Sequence, residues 1–354
     1  MLNFALIGCG KIAKRHSDLL GLNQIKGARL VSVCDMVEDN AKKIADQFSI
    51  PYFTNMHEMM SSSKVNIDVI VVLTASGNHA KDVNELSQYG KHIIVEKPMS
   101  LTLSDADEMI RACDKANIRL FVIKQNRFNV PIMKLREAID NGRFGKLVLG
   151  TVRVRWSRSQ DYYDQNPWRG TWAMDGGVLT NQASHHIDLL EWMFGDIESV
   201  FAMSSTALVD IEAEDTAVVN IRFKNGALGI IEATTAVRPI DLEGSLSVFG
   251  EGGSVIVGGF SANEMDTWNF VNEIPDDKNI MEKFSKNPPN KYGYGHQAYY
   301  DHVVDCINNN KQHLIDGLEG RKSLELINAI YESIETGKKV DLRFVPKYCK
   351  LGQK

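Results

Sequence analysis

The sequence predicts an α/β protein in two parts: a parallel, doubly wound sheet over the first third, then an α/β domain with a large, mostly antiparallel open sheet. Three observations carry this. Apolar strand-like runs alternate with amphipathic helical segments up to residue 122, the pattern of a parallel sheet with helices on both faces. A glycine-rich turn, Gly8-Cys9-Gly10-Lys11-Ile12-Ala13, follows the first of those runs at once. After residue 146 the texture changes to alternating or β-branched strands joined by turns such as Lys224-Asn225-Gly226 and Gly250–Gly253, which is how an antiparallel sheet reads. With 354 residues the chain is too long for one ordinary core, so two domains are expected, over 1–122 and 123–354.

Bulk properties narrow the classes. A hydrophobic content of 44 % with 24 % charged residues is that of a soluble globular chain, and a formal net charge of −5 gives no reason to expect nucleic acid or an anionic membrane as partner. No apolar run approaches the roughly 20 residues that span a bilayer. The five cysteines are scattered without a CxxC pair, which argues against a disulfide framework and a zinc site and suits a reducing cytosol. "MLNFALIGCG" has no basic region ahead of its apolar stretch and reads as a first strand, not a signal peptide. A cytoplasmic protein is expected.

The elements then follow in order. "NFALI" is the first strand, and the turn after it is Gly8-x-Gly10-x-x-Ala13. Gly8 permits the tight turn, Gly10 lets the backbone approach a pyrophosphate, and Ala13 is small enough for helix–strand packing; Lys11 and Ile12 belong to the same turn. "ARLVSVCD" is the second strand and ends in Asp35, 25 residues past Gly10. An acid there accepts hydrogen bonds from adenosine ribose hydroxyls and repels a 2′-phosphate. Met36 follows where an NADP enzyme more often has Arg or Lys, so NAD is the expected cofactor.

"NAKKIADQFSI", "HAKDVNELSQYG" and "ADEMIRACDKA" read as helices, the last with a capping box at Ser104–Asp107; "IDVIVVLTAS", "HIIVEKP" and "RLFVIKQ" read as strands. Ligands of such sheets sit at the carboxyl ends of the strands, which nominates Thr74, Asn78 and His79, then Glu96 and Lys97, then Gln125. Lys97, between an acid and a proline, is placed where nicotinamide should lie. An ammonium there can donate to a substrate hydroxyl and stabilise a developing alkoxide; the plainer reading is a strand-end surface lysine paired with Glu96.

In the second part, "SHHIDLLEWMFG" reads as a helix stopped by Gly195. Neighbouring helical residues point about 100° apart, so His185 and His186 cannot share one substrate. Asp188, one turn after His185, either orients it or packs. No carboxylate or second histidine stands four residues after His185, and no metal is expected. "TVRVRWSRSQDYYDQNPWRGTW" carries four arginines. Arg153 and Arg155 alternate on one strand face and cover either the open sheet or an oligomer interface. Arg158 and Arg169, with Gln160, Tyr162 and Tyr163, lie in the loop that feeds the helix and suit carboxylate or phosphate oxygens. "NKYGYGHQAYYDHV" offers Tyr292, Tyr294 and His296 as a polar-aromatic loop for a nucleotide or sugar, or an ordinary surface loop. The basic tail "KYCKLGQK" reads as solvated.

Together, "GCGKIA", "TASGNH", "EKP", "NRF" and "GGVLTNQASHHIDLL" resemble the glucose–fructose oxidoreductase / inositol dehydrogenase / MocA (Gfo/Idh/MocA) family of nicotinamide-dependent sugar oxidoreductases, across essentially the whole chain. The resemblance implies an N-terminal Rossmann domain, a C-terminal α/β domain with an open sheet, a catalytic Lys97 with a cis bond to Pro98, and a homotetramer. By the family register His185 is the catalytic base and His186 is structural. The family's Asp is replaced by Asn181, which cannot ionise; this puts a carboxylate-assisted mechanism in doubt and points to a substrate that is itself anionic. "KQNRFN", the arginine loop and "LTNQASHHIDLL" look like the UDP-N-acetyl-glucosaminuronate 3-dehydrogenases of bacterial surface polysaccharide (O-antigen) synthesis. That implies C3 oxidation, with Lys97, Arg158, Gln160, Tyr162, Arg169, Asn181, His185, Tyr294 and His296 toward the sugar nucleotide. The alternatives are a dehydrogenase of a free polyol such as inositol and a non-catalytic NAD-binding sensor or scaffold.

Overall fold

The computed structural model describes residues 1–285 and 293–353. The chain forms two compact units, the first of residues 1–123 with 296–321, the second of 124–295 with 322–354. The first unit is therefore not one contiguous stretch: residues 296–321 return to it.

The first unit holds six strands, β1 (Leu2–Ile7), β2 (Ala28–Cys34), β3 (Tyr52–Phe53), β4 (Val69–Val72), β5 (His92–Val95) and β6 (Leu120–Val122), in the order β3-β2-β1-β4-β5-β6. Every pairing is parallel, so this is the Rossmann arrangement, with the order reversing between β1 and β4. Strands covered on both faces need no polar side: Val69–Val72 and Ile93–Val95 are fully buried. Beyond β6, Val122 N donates to Ile315 O (3.2 Å) and Phe121 bridges to Asp316, so the returning segment extends that edge. The helix expected to be capped at Ser104 runs Leu103–Lys115 and is capped two residues earlier, by the Thr102 hydroxyl accepting from Asp105 N at 3.2 Å. Thr102 is the residue with extended backbone there, and only such a residue can turn its hydroxyl onto the third amide.

The second unit holds β7 (Leu147–Arg155), β8 (Ile197–Ser205), β9 (Thr216–Phe223), β10 (Leu228–Thr234), β11 (Glu243–Gly250), β12 (Gly253–Gly258), β13 (Glu264–Phe270) and β14 (Val340–Asp341) in one sheet, ordered β13-β12-β11-β7-β10-β9-β8-β14. Only β7 and β10 pair in parallel. The helix Ser184–Phe194 covers one face of β7, where Gly150 makes room: a Cβ there would stand 2.7 Å from Leu190 Cδ1. On the uncovered face Phe201, Met203, Val218, Leu228 and Ile230 are 38–65 % exposed. Arg155 grips Glu232 with two bonds of 2.6 and 2.8 Å, and Arg153 meets Glu243 at 3.1 Å, so both are paired on the sheet.

The C-terminal segment is docked where solvation was expected. Glu332 Oε2 accepts from the backbone N–H of Lys347, Tyr348 and Cys349 (3.0, 2.6 and 2.8 Å), Leu351 is buried, and Gly352 N donates to Trp172 O. One buried carboxylate collecting three amides outweighs the solvation of the lysines. Among the described residues no helix is long and apolar enough to cross a membrane.

Candidate active site

In the first unit, the turn after β1 is shaped for a phosphate group. Gly8 has φ +93°, and a Cβ on it would lie 2.7–2.8 Å from the backbone of Leu73 and Thr74; no other residue fits. A Cβ on Gly10 would meet nothing within 4 Å, so the backbone there faces open space. The helix Ala13–Gly21 begins beside it with no side-chain cap and no acid in its first turn, leaving its positive end to a ligand. Lys11 is exposed and Ile12 partly so. Asp35 closes the turn from β2: Oδ2 accepts from Cys9 N at 2.6 Å and Oδ1 from Val37 N at 2.8 Å, while Met36 is 88 % exposed. These residues fit a dinucleotide.

The next strand ends converge on Lys97. Thr74 donates its hydroxyl to Asp82 (2.6 Å), Asn78 lies in the short 3₁₀ turn Ser76–Asn78, and the ring nitrogens of buried His79 stand 2.9 Å from Thr74 O and 2.8 Å from Pro98 O. Lys97 is the one residue of the run Ile93–Ser100 that reaches the surface in part, and its peptide bond to Pro98 is cis. Lys97 N donates to Glu96 Oε2 at 2.9 Å. Glu96 is itself buried against His16 and His296. His296, expected in an open loop toward the sugar, instead lies in the first turn of the helix Gly295–Asn308 and is 1 % exposed. Three donor atoms of His16, Glu96 and His296 lie within 4.8 Å of one another, the one such buried group among the described residues. The His16–Glu96 separation of 3.1 Å is that of a hydrogen bond. Tyr294 is 60 % exposed, and Tyr292 lies outside the described residues.

In the second unit the two histidines part as the helical geometry requires. His185 is partly exposed, with Nε2 3.0 Å from Gln125 Nε2. Gln125, assigned from sequence to the cofactor, thus has its amide on this imidazole. His186 is fully buried against Gly244 and Trp156, and burial pushes it down to about 4, so it stays neutral. Asp188 does not orient His185. It accepts from Arg127 through two bonds of 2.8 Å and from Lys124, whose ammonium also reaches the Ser323 hydroxyl. Burial alone would raise the Asp188 carboxyl; the two cations outweigh it and hold it at about 2.

Asn181 is not far from a carboxylate. Its Nδ2 donates to Asp175 Oδ1 at 2.6 Å, and Asp175 is buried, its other oxygen accepting from Gly170 N. The acid missing at residue 181 therefore stands directly behind it, and Asn181 by itself carries no argument for an anionic substrate. Behind the same loop Glu214 accepts from Leu179 N (2.9 Å) and Tyr331 Oη (3.0 Å), and burial pushes it up to about 7. Gly177 allows this, since a Cβ there would overlap the Glu214 carboxyl.

The arginine loop is brought together in part. Tyr162 lies between the guanidinium groups of Arg158 (5.3 Å) and Arg169 (4.2 Å). Arg158 also pairs with Asp241 at 2.9 Å, whereas Arg169 has no carboxylate partner among the described residues. Gln160 is spent on Asp164 and on Asp210 N. A 380 Å³ cleft beside Gln160 and Arg169 is walled by Asp164, Asp210 and Glu212, a charge that repels anions. Asp175, Lys124, His16 and Tyr300 were not singled out from sequence. Only Asp175, preceding two glycines, left a local signal.

Residues 2–124 match the model of an oxidoreductase family NAD-binding Rossmann fold, and residues 136–342 that of the same family's C-terminal alpha/beta domain. The chain is similar to the WlbA dehydrogenase from Bordetella pertussis, solved in complex with NADH and UDP-GlcNAcA: 39 % identity, TM-score 0.89, 97 % of this chain and 98 % of that one covered. The WlbA dehydrogenase of Chromobacterium violaceum, with the same ligands, is 38 % identical at TM-score 0.89 over 97 % and 96 % of the two chains. A myo-inositol 2-dehydrogenase from Thermotoga maritima is 28 % identical, covering 97 % of this chain and 99 % of that protein.

Proposed function

The chain belongs to the Gfo/Idh/MocA family of NAD-dependent oxidoreductases, and from that premise we propose that it oxidises the C3 hydroxyl of UDP-N-acetyl-D-glucosaminuronic acid to the 3-keto sugar. The observation that carries the substrate is the 39 % identity, over nearly the full length of both chains, to a protein that binds this sugar nucleotide. The step fits cytoplasmic assembly of bacterial surface polysaccharides, and five buried thiols suit that compartment.

Bound NAD would supply the hydride acceptor for the carbinol carbon. The chain's own groups do the rest in this reading. The Gly8–Ala13 turn and the helix N-terminus hold the pyrophosphate, and Asp35 takes the ribose hydroxyls. Lys97 donates to the C3 oxygen and stabilises alkoxide character as hydride leaves. His185 takes the hydroxyl proton on Nε2, the nitrogen that the Gln125 amide occupies and the substrate hydroxyl must displace. Asn181, its NH₂ group on Asp175, positions the sugar.

Absorbance of NADH tests this with purified protein, NAD or NADP, and UDP-N-acetyl-glucosaminuronic acid, UDP-N-acetylglucosamine or myo-inositol. Signal is expected with NAD and the uronate alone. Turnover of inositol instead would overturn the substrate, and equal use of NADP would overturn the role of Asp35. We also propose that the uncovered sheet face, with its apolar stripe, is buried in a homotetramer. Sedimentation velocity should find a species of four chains; a monomer at micromolar concentration would refute it.

A further inference from the structure

The Glu96 carboxylate is more elaborately held than a lysine's neighbour requires. It is 6 % exposed, on the last turn out of β5, with both oxygens engaged. Oε2 accepts from Lys97 N at 2.9 Å. Oε1 stands 3.1 Å from His16 Nε2 and 3.9 Å from His296 Nε2. His16 is fully buried on the helix Ala13–Gly21, and its Nδ1 lies 2.7 Å from the buried Tyr300 hydroxyl. Burial would raise the Glu96 carboxyl, but the His16 hydrogen bond and the two neighbouring imidazoles hold it well below the usual range, so it is ionised. An ionised carboxylate only accepts, which places a proton on His16 Nε2. Burial pushes the Tyr300 hydroxyl well above its ordinary range, so it stays protonated, 2.7 Å from His16 Nδ1. His16 therefore links Tyr300 to one Glu96 oxygen, and Lys97 N–H meets the other. Pro98 O, on the other side of Lys97, is held by His79 at 2.8 Å. A buried carboxylate costs several kcal/mol to desolvate and persists only where donors replace water. Here those donors come from two helices far apart in the chain, and what they immobilise is the backbone that carries Lys97.

We propose that Tyr300, His16 and His296 form a buried clamp on Glu96 that sets the direction of the Lys97 side chain, making Glu96 and His16 positioning residues for hydride removal. The proposal rests on the reading of Lys97 as the donor to the reacting oxygen.

The test compares Glu96→Ala, His16→Ala and His16→Gln with Lys97→Met in the full-length enzyme, using whichever sugar of the panel it oxidises. A misplaced reacting group costs about 100-fold, so kcat should fall by about that factor in Glu96→Ala and His16→Ala, while KM for the sugar and NADH affinity by fluorescence stay within about twofold. His16→Gln, whose amide can still donate to Glu96, should recover about tenfold of the loss, a rescue that loss of packing does not explain. An inactive Lys97→Met beside a His16→Ala and a Glu96→Ala of normal kcat overturns the clamp alone. NADH affinity falling in step with kcat also overturns it, since the cluster would then serve the dinucleotide. A Lys97→Met enzyme with full kcat overturns the lysine reading itself and is told apart by that one variant.

Discussion

Replacing Lys97 by methionine should lower kcat by about 10²- to 10⁴-fold, with NADH affinity unchanged within about twofold. Methionine keeps the length and the apolar stem, so the fold and the strand end are preserved and only the ammonium is removed. The residue sits in a run that is otherwise buried, with Glu96 and Pro98 each held by neighbouring imidazoles. Its backbone is therefore placed whether or not the side chain bears a charge. In the proposed mechanism the ammonium is a donor to an oxygen that gains negative charge as hydride departs, an interaction stronger in the transition state than in the ground state. For that reason the loss should fall on kcat and kcat/KM alike, not on KM. Initial-rate measurements of NADH formation decide it. A variant retaining more than about a tenth of kcat would leave Lys97 as the surface lysine of the plainer reading, since general acid–base groups are worth at least about 10²-fold.

Removing the Asp188 carboxylate should be the most damaging single change to the second unit's stability. Asp188→Ala leaves the Lys124 ammonium and the Arg127 guanidinium buried without their shared counter-charge, and breaking one partner of a buried pair costs about 3–5 kcal/mol. For a unit of this size that corresponds to a fall in Tm of about 6–20 °C by calorimetry. A fall of less than about 2 °C would mean that the cations find other partners or water. The pH dependence follows from the same group. Its folded-state pKa, about 2, is depressed below the ordinary 3.8. The stabilisation is therefore complete above about pH 4 and is lost as pH falls toward 2. Because Lys124 and Arg127 flank Gln125 and Asp188 follows His185 by one turn, the variant should also loosen the Gln125–His185 contact and lower kcat before the unit unfolds.

Much of the first unit is legible in the chain. The turn Gly8–Ala13, the acid at the end of the second strand and the alternation of apolar strands with amphipathic helices are all local patterns, and each has one structural reading. The antiparallel texture of the second unit and the separation of His185 from His186 are local in the same sense, since a helix turns by a set angle per residue. The helix at Leu103–Lys115 shows the limit: two hydroxyl residues compete for the cap, and backbone conformation chooses Thr102 over Ser104.

What the sequence by itself determined is the class of protein, its dinucleotide turn and the residues that could do chemistry, because periodicity, glycine geometry and turn composition act between near neighbours. What only the tertiary structure decided is which polar groups meet. Asp188 belongs to Lys124 and Arg127 and not to His185; Asp175 restores behind Asn181 the carboxylate that the motif lacks; His296 is buried against Glu96 and not turned to the sugar; and the basic tail is docked through Glu332. The physical reason is common to all four. A buried polar group must find partners of the right sign and geometry wherever packing supplies them, and packing makes pairs that no local pattern records, whether 6 positions apart, as Asp175 and Asn181, or 61, as Arg127 and Asp188.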